Sequence, residues 1–193
     1  MRIMVVGTSG SGKTTMARRL SRALGVPHVE LDAINWQPGW VALTDGDEAE
    51  FVRRVAAATA GEAWVTDGSY TQTWPVLLPR AEAVVWLDYP RRLIMRRVIQ
   101  RSFVRALTKE ELWPDTGNRE EFRRWLDREH PIRWAWDTYK ARRSSYEARL
   151  AQAVAAGARV HRLRHPREED GLFRTLSGGP AKKAAGANAE IFV

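Results

Sequence analysis

Eight residues near the start constrain this chain most. Gly7-Thr8-Ser9-Gly10-Ser11-Gly12-Lys13-Thr14 carries the spacing G-x-x-x-x-G-K-[ST]. The apolar run Ile3-Met4-Val5-Val6 before it reads as a strand, and Met16, Leu20, Ala23 and Leu24 after it recur at helical spacing up to Gly25. Strand, glycine loop and helix together make an anion site. The glycines let backbone N–H groups turn inward as a concave nest. The helix adds its unpaired first-turn donors and the positive end of its dipole. Gly7, Ser9, Gly10, Ser11, Gly12, Thr14 and Thr15 are then the candidate cradle, and Lys13 the residue that reaches the β- and γ-phosphates. The Thr14 hydroxyl is placed to ligate Mg²⁺. An ordinary Gly-rich turn would explain neither the strand before nor the helix after. The stretch implies a site for a nucleoside triphosphate with Mg²⁺.

Composition narrows the setting. At 193 residues the chain suits one domain with a small inserted lid. With no cysteine, disulfides and thiolate chemistry are excluded. No run approaches bilayer-spanning length, and Ile3–Val6 is too short for a signal sequence, so a soluble cytoplasmic protein is expected. The net charge of +8 is unevenly placed: residues 1–88 hold 8 Lys/Arg and 10 Asp/Glu, residues 89–193 hold 23 and 13. A basic half suits either a polyanionic pair of substrates or contact with nucleic acid.

Further along, strands and helices alternate. Val26–Asp32 reads as a second strand with Asp32 at its C-terminal end, where ligands of parallel α/β sheets bind; the competing reading is an Asp that caps the next turn. Residues 33–43 read as a loop whose Trp36 and Trp40 serve either as substrate walls or as packing. A helix is expected from about Thr44 to Gly61, strands at Trp64–Gly68 and Ala83–Asp88, and a helix at Arg91–Ala106. Arg97, Arg101 and Arg105 share one face of that helix. Residues 107–133 read as a lid insertion with a short helix near 119–128, then a long helix at Trp134–Ala156, a strand at Arg159–Leu163 and a helix at Pro166–Leu176. The Gly/Ala/Lys tail from Ser177 reads as disordered. His28, His130, His161 and His165 lack metal-ligand spacing and read as structural or surface residues. The pattern predicts an α/β P-loop NTPase fold, a three-layer sandwich around a mostly parallel five-stranded sheet.

These motifs resemble the adenylate-kinase-like P-loop kinases, most closely the bacterial DNA topology modulation (FlaR-like) group. The likeness rests on the phosphate loop, on L-D-x-x-x-W-x-P-G-W at Leu31–Trp40, on D-G-S-Y at Asp67–Tyr70, on L-D-x-P at Leu87–Pro90, and on Arg97 and Arg101. It implies that Asp67 helps hold Mg²⁺, that Arg97 stacks on the ATP base and that Arg101 reaches phosphates. It also implies a completing arginine beyond the lid, with Arg133, Arg142 and Arg143 as candidates. Adenylate kinases carry acceptor-gripping arginines after the second strand and after the D-G segment; here Ala33–Trp36 and Ser69–Thr73 stand in those places. An alcohol acceptor, with Asp32 as general base, is therefore an alternative to a nucleotide. The expected function is Mg-ATP-dependent phosphoryl transfer to a nucleotide or small molecule. The alternative is a regulatory ATP-binding protein on nucleic acid. A GTPase reading fails for want of an N-K-x-D motif.

Overall fold

Alternation along β1 (Arg2–Gly7) sets the architecture: Ile3 and Val5 pack into one apolar core, Met4 and Val6 into another. A strand buried on both faces belongs inside a parallel sheet covered on each side. The computed structural model, which describes residues 1–128 and 130–177, has that arrangement. Five strands lie in the order β2-β5-β1-β6-β7, all parallel, with β2 at His28–Glu30, β5 at Trp64–Asp67, β6 at Ala83–Leu87 and β7 at Arg159–Leu163. The predicted three-layer α/β fold is the observed one.

On one face, α1 (Lys13–Leu24), α6 (Arg91–Thr108) and α8 (Glu169–Ser177) bury Met16, Leu20, Ile94, Val98 and Leu172 against the sheet. On the other, α4 (Glu48–Ala58) and α5 (Trp74–Leu77) bury Phe51, Val55, Trp74 and Leu77. Each such large side chain contributes about 1.5–3 kcal/mol by leaving water. The long helix α7 (Pro131–Ala155) belongs to both cores: Ala135 lies in the first, Tyr146, Leu150 and Ala153 in the second.

Several boundaries differ from expectation. The second strand ends at Glu30, and Asp32 sits in the first turn of a short helix, α2 (Leu31–Asn35). Leu31 is held there because its side chain packs under Gly68. Residues 33–43 are not a plain loop: Trp36–Gln37 (β3) and Val41–Ala42 (β4) pair antiparallel around a 3₁₀ turn at Pro38–Trp40. The expected helix from Thr44 is split, because α3 (Leu43–Gly46) stops at Asp47, whose side chain accepts from Glu50 N and starts α4. The lid helix is a 3₁₀ segment at Phe122–Leu126. Pro131 at its first turn starts α7 three residues early. Ser177, assigned to the tail, closes α8; the rest of the expected tail lies outside the described residues. No helix of the described residues is long and apolar enough to cross a membrane.

Candidate functional site

At the C-terminal ends of the strands a cavity of about 580 Å³ opens between the phosphate loop, α2, the β3–β4 hairpin, α6 and the segment that follows α6. The loop can be built only with glycine at Gly10. Its φ is +84°, and a Cβ there would stand 2.8 Å from Val98 Cβ and 2.9 Å from the Ile94 carbonyl oxygen. Ser9, Gly10, Gly12, Lys13, Thr14 and Thr15 line the cavity. Ser11 does not: its side chain is buried, and its carbonyl accepts from Arg97 Nη1 at 2.9 Å. Gly7 lies behind the loop, holding Ser69 Oγ through its N–H and carbonyl at 3.3 and 3.2 Å.

Lys13 Nζ donates to the Thr8 carbonyl at 3.2 Å. Crowding by the loop strips water from its ammonium and pulls its pKa down to about 8, against the opposing pull of Asp32 and Asp67. Thr14 Oγ1 donates to Asp67 Oδ2, while Asp67 Oδ1 meets His28 Nε2 at 2.7 Å. His28 is therefore not a free surface histidine but the neighbour of a buried carboxylate. Its position follows from β2–β5 pairing, which sets Glu30 beside Asp67 and His28 beside Val65. Asp32 lines the cavity and accepts a 2.6 Å hydrogen bond from the Tyr70 hydroxyl. Burial first, then the Asp32 carboxylate, raise the Tyr70 pKa well above its usual value, so the phenol stays a donor.

On α6 the arginine face looks into the cavity. The Arg97 guanidinium lies 5.4 Å from the Tyr89 ring centroid. Arg101 reaches Ser9 Oγ at 3.3 Å, and desolvation, then Arg105, lower its pKa to about 10. Trp36, Trp40 and Trp113 close the opposite wall. Trp36 and Trp113 stack with centroids 6.3 Å apart, and Trp40 meets each edge-on at 5.7 and 6.0 Å. The tryptophans both wall the cavity and pack the segment after α6 against the hairpin. Asn118, buried in the segment after α6, accepts from Trp40 N at 2.9 Å and donates to the Gln37 carbonyl at 2.9 Å.

The three candidate arginines beyond the lid do not line this cavity. Arg133 pairs with Asp137 at 2.6 Å and Arg143 with Asp88 at 3.1 Å. Arg142 Nη2 donates to the Ser69 carbonyl at 2.9 Å, and its charge reaches Lys13 as a field that lowers the ammonium pKa. The sequence does not show His28 beside Asp67, nor Asn118 beside Trp40 and Gln37, because these pairings span long stretches of chain.

The donors suit Mg²⁺. One hydroxyl and one carboxylate in contact beside a phosphate loop fit an ion that keeps several waters and takes one or two protein oxygens. Among the described residues no group of three His, Cys, Asp or Glu could hold a metal alone.

A model of the AAA domain family matches residues 3–102. No curated protein matches the chain. Among solved structures, shikimate kinase from Acinetobacter baumannii in complex with shikimate is 19% identical, covering 91% of this chain and 89% of its own, with a TM-score of 0.53. Shikimate kinase from Aquifex aeolicus is 16% identical, covering 92% and 97%, with a TM-score of 0.52. The likeness to both is one of fold.

Proposed function

The chain belongs to the AAA domain family, and from that premise we propose that it is a Mg-ATP-dependent phosphotransferase acting on a small hydroxylated acceptor, within the adenylate-kinase-like P-loop kinases and nearest their DNA topology modulation group. The observation that carries this reading is Lys13 and Asp32 facing one cavity, with the Thr14–Asp67 pair beside them. In it, the loop amides and Lys13 hold the β- and γ-phosphates, and Thr14 and Asp67 hold the ion. Mg²⁺ neutralises charge on the transferring group when bound. Arg97 packs against the nucleotide base, and Arg101 meets the charge that develops on the γ-phosphoryl oxygens.

Asp32 takes the acceptor's hydroxyl proton as the oxygen attacks phosphorus, and the bond to the ADP oxygen breaks. Tyr70 orients that carboxylate by donating to Oδ1. Two features favour an alcohol over a monophosphate. Asp32 is a cavity carboxylate with a donor behind it, and residues 33–36 and 69–73 carry no arginine. Arg142 is a positioning residue, fixing the Asp67–Tyr70 loop through Ser69. The insertion at about residues 107–133 acts as the lid, and closing it excludes water.

The test is ADP release from Mg-ATP across nucleoside monophosphates, nucleosides and small hydroxy compounds. Stimulation by a hydroxy compound well above background hydrolysis is the expected result. Stimulation by monophosphates alone would return Asp32 to a structural role. No stimulation, with ATP bound and with DNA binding that weakens steeply in salt, would favour the nucleic-acid reading.

A further inference from the structure

A second groove, of about 290 Å³, shares no lining residue with the cavity. Trp134, Thr138, Arg142, Ser145 and Arg149 recur along α7 at steps of four, four, three and four residues, so one helix face presents them all. Across from them stand Ser69, Thr71 and Trp74. No carboxylate lines the groove, whereas Glu30, Asp32, Glu120, Glu121 and Glu169 line the main cavity. Other arginines of α7 and its surroundings find acids: Arg133 has Asp137, and Arg143 and Arg162 have Asp88. Among the described residues Arg142 and Arg149 have none. Arg142 holds the Ser69 carbonyl and lies 5.7 Å over the Trp134 ring; Arg149 reaches Ser145 Oγ at 3.3 Å and lies 5.3 Å over Trp74. Each guanidinium keeps donors to spare.

We propose that this groove is a second anion site that takes an organic phosphate. One bidentate guanidinium saturates a planar carboxylate, but a phosphate offers oxygens to donors arriving from two directions. Arg142 and Arg149, about 10 Å apart along one face of the helix, offer their donors at two points of the groove, which Thr71 and Ser145 also line. Trp134, 41% exposed, gives the ligand's apolar body a surface to lie on. Occupancy is felt at the phosphate loop, since Arg142 holds Ser69 and Ser69 holds Gly7.

The experiment titrates phenyl phosphate into the full chain saturated with Mg-ADP, by calorimetry, with the same titration into Lys13→Met. Saturable binding that weakens with salt is expected in both, and phenol does not bind. Arg149→Ala, checked for folding by its melting curve, weakens binding about ten-fold or more. Trp134→Ala keeps inorganic phosphate binding but loses the preference for phenyl phosphate over it, which serves if Arg149→Ala does not fold. Absence of saturable binding, or an Arg149→Ala affinity equal to the parent's, overturns the proposal. Loss of binding in Lys13→Met places the anion in the phosphate loop and overturns it too. Because that comparison is made on the inactive loop variant, the result stands apart from the phosphotransferase reading.

Discussion

Lys13 and Asp32 make opposite demands on one small space. The ammonium gains from any anion that closes over the loop, while the carboxylate serves only where a proton must leave. Lys13→Met is expected to abolish ADP release while leaving the circular dichroism spectrum and melting cooperativity intact. Asp32→Asn keeps the shape and the Tyr70 contact but cannot accept a proton, so turnover falls by about 100-fold or more with nucleotide affinity nearly unchanged. An equal rate in that variant removes Asp32 from the chemistry. The lowered Lys13 pKa has a consequence of known sign. Between about 8, its folded value, and 10.5, its ordinary one, the unfolded chain holds the proton and the folded chain does not. Stability from this residue therefore rises with pH across that window. In urea melts without nucleotide, Lys13→Met should be the more stable protein at pH 7, and the gap should narrow from pH 8 to 10.5. A gap independent of pH would mean the ammonium is not desolvated.

At the scale of elements, the segment after α6, the proposed lid, is fastened to the β3–β4 hairpin by three indoles and one amide. Asn118 satisfies a backbone donor and a backbone acceptor of the hairpin with a single buried side chain. Asn118→Ala leaves the Trp40 N–H and Gln37 carbonyl without it, at about 1–3 kcal/mol. Hydrogen exchange should quicken in residues 36–42 and 109–120 while the sheet amides stay protected. Uniform quickening across the sheet would place Asn118 in the global core instead. The same region shows what the sequence made legible. Five strands, the phosphate loop and the α6 arginine face could be read because their residues are contiguous or periodic. The hairpin could not, since two-residue strands carry no period. Nor could His28 beside Asp67 or Asn118 beside Gln37, since these contacts exist only once distant strands and the lid have come together.

Across the whole molecule, α7 joins two cores that the sheet otherwise separates, and Asp88 clamps the helix at its middle. That carboxylate, 3% exposed at the end of β6, takes Arg143 of α7 at 3.1 Å and Arg162 of β7 at 2.6 Å. One acid thus fixes a helix to two strands at the rim where the phosphate loop lies. Removing it leaves Arg143 without its acid, while Arg162 keeps Glu147 at 2.9 Å; with both arginines partly in water, the loss is about 1–3 kcal/mol. Asp88→Ala should lower the urea midpoint without changing the slope of the transition. It should also weaken nucleotide binding, because α7 carries the Arg142 hold on Ser69 and the Tyr146 hydroxyl bond to the Gly7 carbonyl. Arg162→Ala separates the two effects: it removes a β7 contact of Asp88 but keeps Arg143 paired, so stability falls with less change in nucleotide affinity. Equal losses of affinity in both variants would show that the clamp acts through general destabilisation rather than through the placement of α7.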